Sequence, residues 1–407
     1  MLNSILQGTV RTAQFAKQFS LYLLAGTFMA LVWANVDWPG YHHFQHWLLM
    51  GSTNVTVHFV VNDVLMAIFF AVAGKEVWEA MALENGKLRG FRKAATPLLA
   101  TLGGVVVPAA VYLTVAYVNG DLAAVSRGWG VVVATDIAFA ILIARLVFGG
   151  GHPAIAFLLL LAIADDAIGL VIIAVVYPQG DIQVGWLVLT FVAVALGYGC
   201  RALRLHSFWW YLLIPGSLSW LSFYWAGIHP ALGLLPIIPT MPHAETDLGI
   251  FVREELSRRD TLNQFEHWWA GPTEAILFLF GLTNAGVVFS QLGPVTWYVV
   301  TGLLLGKTLG VTLFTWVGVA CGLELPQGIR LRDVPVIGSI AGVGFTVALF
   351  MTVAAFVPGP VQDAAKMGAL FSFGAFGLAL LMAYLLRVGR FSRDPQVVEV
   401  PTLVESH

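Results

Sequence analysis

The chain is poor in charge, in cysteine and in long polar stretches. Only 11% of its 407 residues are Asp, Glu, Lys or Arg, under half of the roughly 25% usual in a soluble domain, so a water-facing surface of ordinary extent is excluded. The two cysteines, Cys200 and Cys321, fall near predicted helix ends with no ligand spacing, which excludes a disulfide framework and a cysteine metal centre. A net charge of -2 and the lack of any basic tract exclude a nucleic-acid partner. No linker long enough to separate domains is present, and nothing calls for a cofactor or for enzymatic catalysis.

What is abundant is apolar: 58% of the residues are hydrophobic and the mean hydropathy is +0.82. A helix needs about 20 mostly apolar residues to cross a bilayer. Roughly twelve such segments can be laid down, at 19–36, 57–79, 95–118, 128–145, 153–177, 184–200, 207–221, 223–239, 272–290, 295–319, 335–356 and 362–387. The expectation is an all-α polytopic membrane protein whose partner is the lipid bilayer, with 1–407 forming a single transmembrane domain. Residues 1–18 are short and polar, with no cleavage context after them, so the first apolar stretch reads as an uncleaved helix. With the N-terminus placed in the cytoplasm, all 21 lysines and arginines but Arg127, Lys366, Lys75 and Lys307 fall on the cytoplasmic side, as the positive-inside rule requires with both termini inside. The longest polar stretch, 240–271, reads as a solvated cytoplasmic loop; the sharper reading is a segment that senses pH through His243 and His267.

A charged side chain at the centre of a bilayer helix costs about 2.5 to 3.5 kcal/mol even on the lenient insertion scale. Those present therefore carry information: Asp63, Asp136, the adjacent pair Asp165 and Asp166, Glu274 and Lys307, with Lys75, Glu76 and Glu79 nearer a helix end. Neighbouring helix residues point about 100° apart, so Asp165 and Asp166 face different surroundings. One structural reading is a salt bridge to Lys307 that fixes packing, but one lysine leaves one of two carboxylates unbalanced. The functional reading is an ion site near the midplane, since paired carboxylates offer the oxygen ligands that a hard cation prefers. Burial makes a carboxyl group hold a proton more readily, and a second carboxylate beside it adds to that, so the same oxygens can carry a proton or a metal ion.

Other positions keep two readings. Thr135 either bonds its own helix or joins Asp136 at the site. Gly338, Gly342 and Gly344 either let helices pack closely or mark a broken helix whose ends meet ions near the midplane. Lys307 lies halfway along 295–319, too deep to snorkel to the surface, and suits a partnership with Asp165. An intramembrane aspartyl protease also uses two aspartates, but on separate helices sharing one water, whereas Asp165 and Asp166 are neighbours. A cation channel would show a filter-like sequence, and a pore lysine would repel cations.

The stretches VNDVLMAIFFAVAGKEV (61–77), ATDIAFAILIAR (134–145), LLLLAIADDAIGLVIIA (158–174), AGIHPALG (226–233), LTNAGV (282–287), GLLLGKTLG (302–310) and GVGFTVALF (342–350) resemble the NhaA family of sodium/proton antiporters, in order and over nearly the whole chain. The resemblance implies twelve transmembrane helices with inverted repeats, here 95–177 and 295–387, and two crossing discontinuous helices. It implies a multi-pass protein of the bacterial inner membrane that exports Na+ (or Li+) against H+, electrogenically and under pH regulation, and that pairs as a homodimer, here through 37–56. It assigns Asp165 and Asp166 to the transported Na+ and to protons, Lys307 to pairing with Asp165, and Asp136 with Thr135 to the unwound helix beside the site. Asp63 and Glu76 match acidic residues of the second helix, Glu76 at the cytoplasmic mouth where pH is sensed. Lys75, Trp78 and Glu79 depart from the family there, as does the stretch LNQFEHWWAGPTEAILFLF with Glu266, His267 and an added Glu274. A displaced pH response is the expectation for that cluster.

Overall fold

The computed structural model describes residues 21–49, 55–82, 91–242 and 260–392. Helices dominate, and among these residues the only β pairing is an isolated antiparallel bridge between Leu48 and Thr56. Lipid offers no hydrogen bonds to a free backbone, so spanning segments close their own ladders as helices. The main helices, spanning and shorter, are in chain order α1 (Leu21–Val36), α2 (Val57–Ala82), α3 (Phe91–Val118), α4 (Leu122–Val132), α5 (Ile137–Phe148), α6 (Pro153–Val176), α7 (Val184–Ala202), α8 (208–226) and α9 (Pro230–Thr240). They continue with α10 (Thr261–Trp269), α11 (Pro272–Asn284), α12 (Pro294–Ala320), α13 (Leu331–Ala341), α14 (Phe345–Ala355) and α15 (Pro360–Phe391).

Six of the described helices are long and apolar enough to cross a membrane, and eight spans result when the bent pairs α4/α5 and α13/α14 are each counted as one. The chain is a multi-pass, essentially all-helical membrane protein. Several predicted boundaries shift. The division expected between 207–221 and 223–239 moves to 227–229: α8 carries Pro215 through a π-helical turn at Leu212–Gly216 and runs on to Ala226, and the second segment is the shorter α9. The stretch 272–290 stays helical only to Asn284. Within 240–271, His243 lies outside the described residues, while Thr261–Trp269 is helical, capped by the Asp260 carboxylate accepting from Asn263 N at 3.0 Å. Phe265 of this helix is fully buried, packed beside Tyr211, Leu234 and Ile238, so this part of the stretch is docked rather than solvated.

α3 and α12 form the most extensive helix pair. Their axes approach closely because a Cβ on Gly103 would run into the carbonyl oxygen of Gly310, and one on Gly310 into that of Gly103. Small residues are what allow such backbone contact in a membrane. Beneath the helix breaks, Phe139 of α5, Phe345 of α14 and Phe373 of α15 form a three-ring cluster with centroids 4.5 to 5.8 Å apart. Each such pair adds about 0.5 to 1.5 kcal/mol beyond simple burial. The cluster holds the two broken spans together next to α6.

Candidate ion-binding site

α4 and α5 meet at 60° across residues 133–136, and α13 and α14 at 51° across residues 342–344. Each break frees backbone groups that cannot remain bare in a membrane, and each supplies the other's partners. Asp136 N donates to Val343 O at 2.7 Å. The Thr135 hydroxyl lies 2.9 Å from Ala341 O. Thr346 N donates to Asp136 Oδ2 at 3.1 Å, and the Thr346 hydroxyl donates to the same oxygen. Gly344 fits between the spans because a Cβ there would sit 2.9 Å from Leu303 Cδ2 and 3.1 Å from Ala134 O.

This arrangement sorts charge. Asp136 caps α5, its Oδ1 accepting from Phe139 N at 3.4 Å, while its Oδ2 takes the first-turn donors of α14. One carboxylate thus faces two helix N-termini, the positive ends of two helix dipoles. The Ala341 carbonyl, at the negative end of α13, points at Thr135, and the Lys307 ammonium donates to the Thr135 hydroxyl. The cation stands at the end that favours it.

Asp165 and Asp166 lie midway along α6, and Lys307 in α12. Asp165 and Lys307 are both fully buried, with Lys307 Nζ 2.6 Å from Asp165 Oδ2. The Thr135 hydroxyl is 2.8 Å from the same Oδ2. Asp165 Oδ1 and Asp166 Oδ1 are buried with no hydrogen-bond partner among the described residues. Asp166 is only partly buried, and the charges of Asp165, Asp136, Glu76 and Lys307 all bear on it. A buried carboxylate oxygen left without a donor is costly, and a proton or a small cation would satisfy it. The predicted set Thr135, Asp136, Asp165, Asp166 and Lys307 is thus gathered in one place.

The candidates for pH response separate into two groups. Lys75, only 3% exposed, stands between Glu79 Oε2 at 2.6 Å and Glu266 Oε2, tying α2 to α10. His267 on the next residue of α10 faces outward. Asp63 lies twelve residues back along α2, about 18 Å away at 1.5 Å per residue, where Gln179 donates to its Oδ1 at 3.1 Å, His229 Nδ1 lies 3.7 Å away, and Trp220 donates to its carbonyl. Glu274 opens α11.

Sequence reasoning missed Thr346, Gln179 and the reciprocal amide pair Asn62 and Asn284, bonded at 3.0 and 3.2 Å. Thr346 stood inside the quoted stretch 342–350, where the glycines drew attention. For the other three, partners 116 to 222 residues apart leave no local spacing to read.

The sequence matches the family described as Na+/H+ antiporter 1 over residues 11–386. It is 49% identical to the Na(+)/H(+) antiporter NhaA of Jannaschia sp. (strain CCS1), covering 93% of this chain and 98% of that one. Proteins of the same name from Geobacter sulfurreducens and Geotalea uraniireducens are 45% and 47% identical, over 92% and 91% of this chain and 97% and 96% of theirs. With the family match and these relatives each spanning more than nine-tenths of the chain, the chain belongs to the NhaA family of Na+/H+ antiporters.

Proposed function

We propose that the protein exports sodium or lithium ions in exchange for protons, driven by the proton motive force, and that it is a transporter rather than an enzyme. The observation that carries this reading is the adjacent pair Asp165 and Asp166, each with a buried oxygen that has no hydrogen-bond partner among the described residues, beside one lysine already engaged with Asp165. Sodium and protons cannot occupy the same oxygens together, and that competition couples the two fluxes. Asp166, the more accessible of the two, is the ion's first ligand. Asp165 alternates between Lys307 and a proton, with Thr135 and Asp136 shaping the site. With two protons entering for each sodium leaving, as the resemblance implies, exchange is electrogenic.

The same reading places twelve helices in the bilayer of the bacterial inner membrane, with both termini in the cytoplasm, supported by the one-sided distribution of basic residues. It takes 1–407 as one transporter domain and 95–177 and 295–387 as inverted repeats, supported by the order straight helix, broken span, straight helix in α3 to α6 and again in α12 to α15. Alternating access is then a movement of the repeat-bearing bundle around the loaded site. Residues 240–271 form the cytoplasmic connection, and Lys75, Glu76, Glu79, Glu266 and His267 tune the response to pH at the mouth of the site, with Asp63 acting from the opposite end of α2. A homodimer forms through 37–56, where Leu49 N bonds Val55 O at 3.0 Å and Val57 N bonds Trp47 O at 3.1 Å, leaving Trp47, Leu48 and Leu49 exposed for a second copy to cover.

The test is collapse of a preformed pH gradient in everted vesicles. Addition of sodium or lithium is expected to dissipate the gradient in vesicles carrying the protein and not in vesicles lacking it. No cation-dependent dissipation would contradict the proposal.

A further inference from the structure

Several threonine hydroxyls in the helices bond back to their own helix, Thr101 to Pro97 O, Thr301 to Trp297 O, Thr308 to Leu304 O, Thr312 to Thr308 O and Thr315 to Val311 O, and Thr96 and Thr296 reach a backbone carbonyl of another segment. Bonding back is the ordinary behaviour of threonine in an apolar helix. Thr346 behaves otherwise. It is the second residue of α14, buried, and gives both its backbone N–H and its hydroxyl to Asp136 Oδ2. At a helix N-terminus the N–H groups have no partner within the helix, so an acceptor from the crossing span is held there by two donors on one residue.

The consequence concerns how the oxygens of the site are divided. Asp136 Oδ2 is taken by Thr346 and Oδ1 by Phe139 N. Asp165 Oδ2 is taken by Lys307 and Thr135. The buried carboxylate oxygens of this group left without a donor are Asp165 Oδ1 and Asp166 Oδ1. Asp136 therefore contributes its charge to Asp166 while its oxygens face protein donors.

We propose that Thr346 is a positioning residue for ion exchange: it holds the Asp136 carboxylate against the N-terminus of α14, so that Asp136 acts as a fixed negative charge and leaves the ion to the oxygens of Asp165 and Asp166. This rests on the exchange reading above. Without the hydroxyl, the carboxylate keeps one donor of two on Oδ2 and is less firmly set in the field that attracts sodium, so the effect falls on ion affinity more than on turnover.

The experiment compares Thr346→Val, Thr346→Ser, Asp136→Asn and the double variant Thr346→Val/Asp136→Asn in proteoliposomes. It reads the apparent KM for sodium, the maximal rate and the melting temperature. Thr346→Val is expected to raise KM about tenfold, in line with loss of a hydrogen bond to a charged group, with maximal rate and melting temperature close to those of the parent chain. Thr346→Ser, which keeps the hydroxyl, is expected to retain the parental KM. In the Asp136→Asn background the valine substitution is expected to change nothing further, since the carboxylate it positions has gone. A parental KM in Thr346→Val overturns the proposal, as does equal damage from serine and valine, or an undiminished valine effect in the Asp136→Asn background. Should Thr346→Val fail to insert, Thr346→Cys, with a weaker donor, is expected to give an intermediate KM, and a parental value there overturns the proposal. A parent chain with no sodium-dependent proton flux would overturn the exchange reading as well, a result separate from any difference among the variants.

Discussion

At the scale of single residues, the buried pair Lys307 and Asp165 is the feature most sensitive to one substitution. Both are fully enclosed, and removing one member of such a pair strands the other, typically at a cost of about 3 to 5 kcal/mol. Lys307→Ala is therefore expected to lower the melting temperature in detergent along with transport. Pairing Lys307→Met with Asp165→Asn is expected to recover much of that stability, because no uncompensated charge remains. A double variant as unstable as Lys307→Ala would show that the stability comes from another contact of the lysine, such as that with Thr135. Lys75 is a different case, since it bridges two carboxylates on different helices. Lys75→Leu leaves Glu79 and Glu266 facing each other, which loosens α10 from α2. The expected outcome is a displaced pH profile of exchange with an apparent KM for sodium close to that of the parent chain, since the ion pairs of Lys75 are with Glu79 and Glu266 and not with Asp165 or Asp166. An unchanged profile would reduce the cluster to interface charges.

At the scale of elements, the break between α13 and α14 at the crossing depends on glycine where it packs against α12. A Cβ on Gly342 would stand 2.7 Å from the Leu303 carbonyl oxygen, a backbone atom with little room to yield. Gly342→Ala is expected to cost about 1 to 3 kcal/mol, as overpacking generally does, and to lower both melting temperature and exchange rate. Gly377→Ala, where no atom lies within 4 Å of the added carbon, serves as the control and is expected to match the parent chain; equal behaviour of the two variants would contradict the packing assigned to the crossing. This is also the scale at which sequence and structure part company. Apolar runs identified the long helices α2, α3, α6 and α12 well, because lipid imposes both their length and their composition. The same apolar measure averages over the breaks at 133–136 and 342–344, whose backbone partners come from a span more than 200 residues away. Asp136 and the glycines marked both places, but only resemblance said that the helices cross there. The expected division between 207–221 and 223–239 falls inside α8, which carries Pro215 through a π-helical turn at Leu212–Gly216 and runs on to Ala226. At the site, the charged residues were legible because charge is rare in lipid, whereas Thr346 was not, because threonine is common there and usually bonds its own helix.

At the scale of the whole molecule, two broken spans, whose half-helix ends hold Asp136 and face Lys307, adjoin a carboxylate pair with two buried oxygens that have no hydrogen-bond partner among the described residues. On the exchange reading, sodium and protons displace one another at those oxygens. The most direct measurement is proton release from purified protein in weakly buffered detergent solution on addition of sodium chloride, with potassium chloride as the ionic-strength control, for the parent chain and for Asp166→Asn. Sodium is expected to release protons from the parent chain, the release is expected to diminish as pH rises and the carboxyl groups are already deprotonated, and Asp166→Asn is expected to release none while keeping the parental melting temperature. Sodium binding without proton release by the parent chain, or the same release from Asp166→Asn, would contradict that reading.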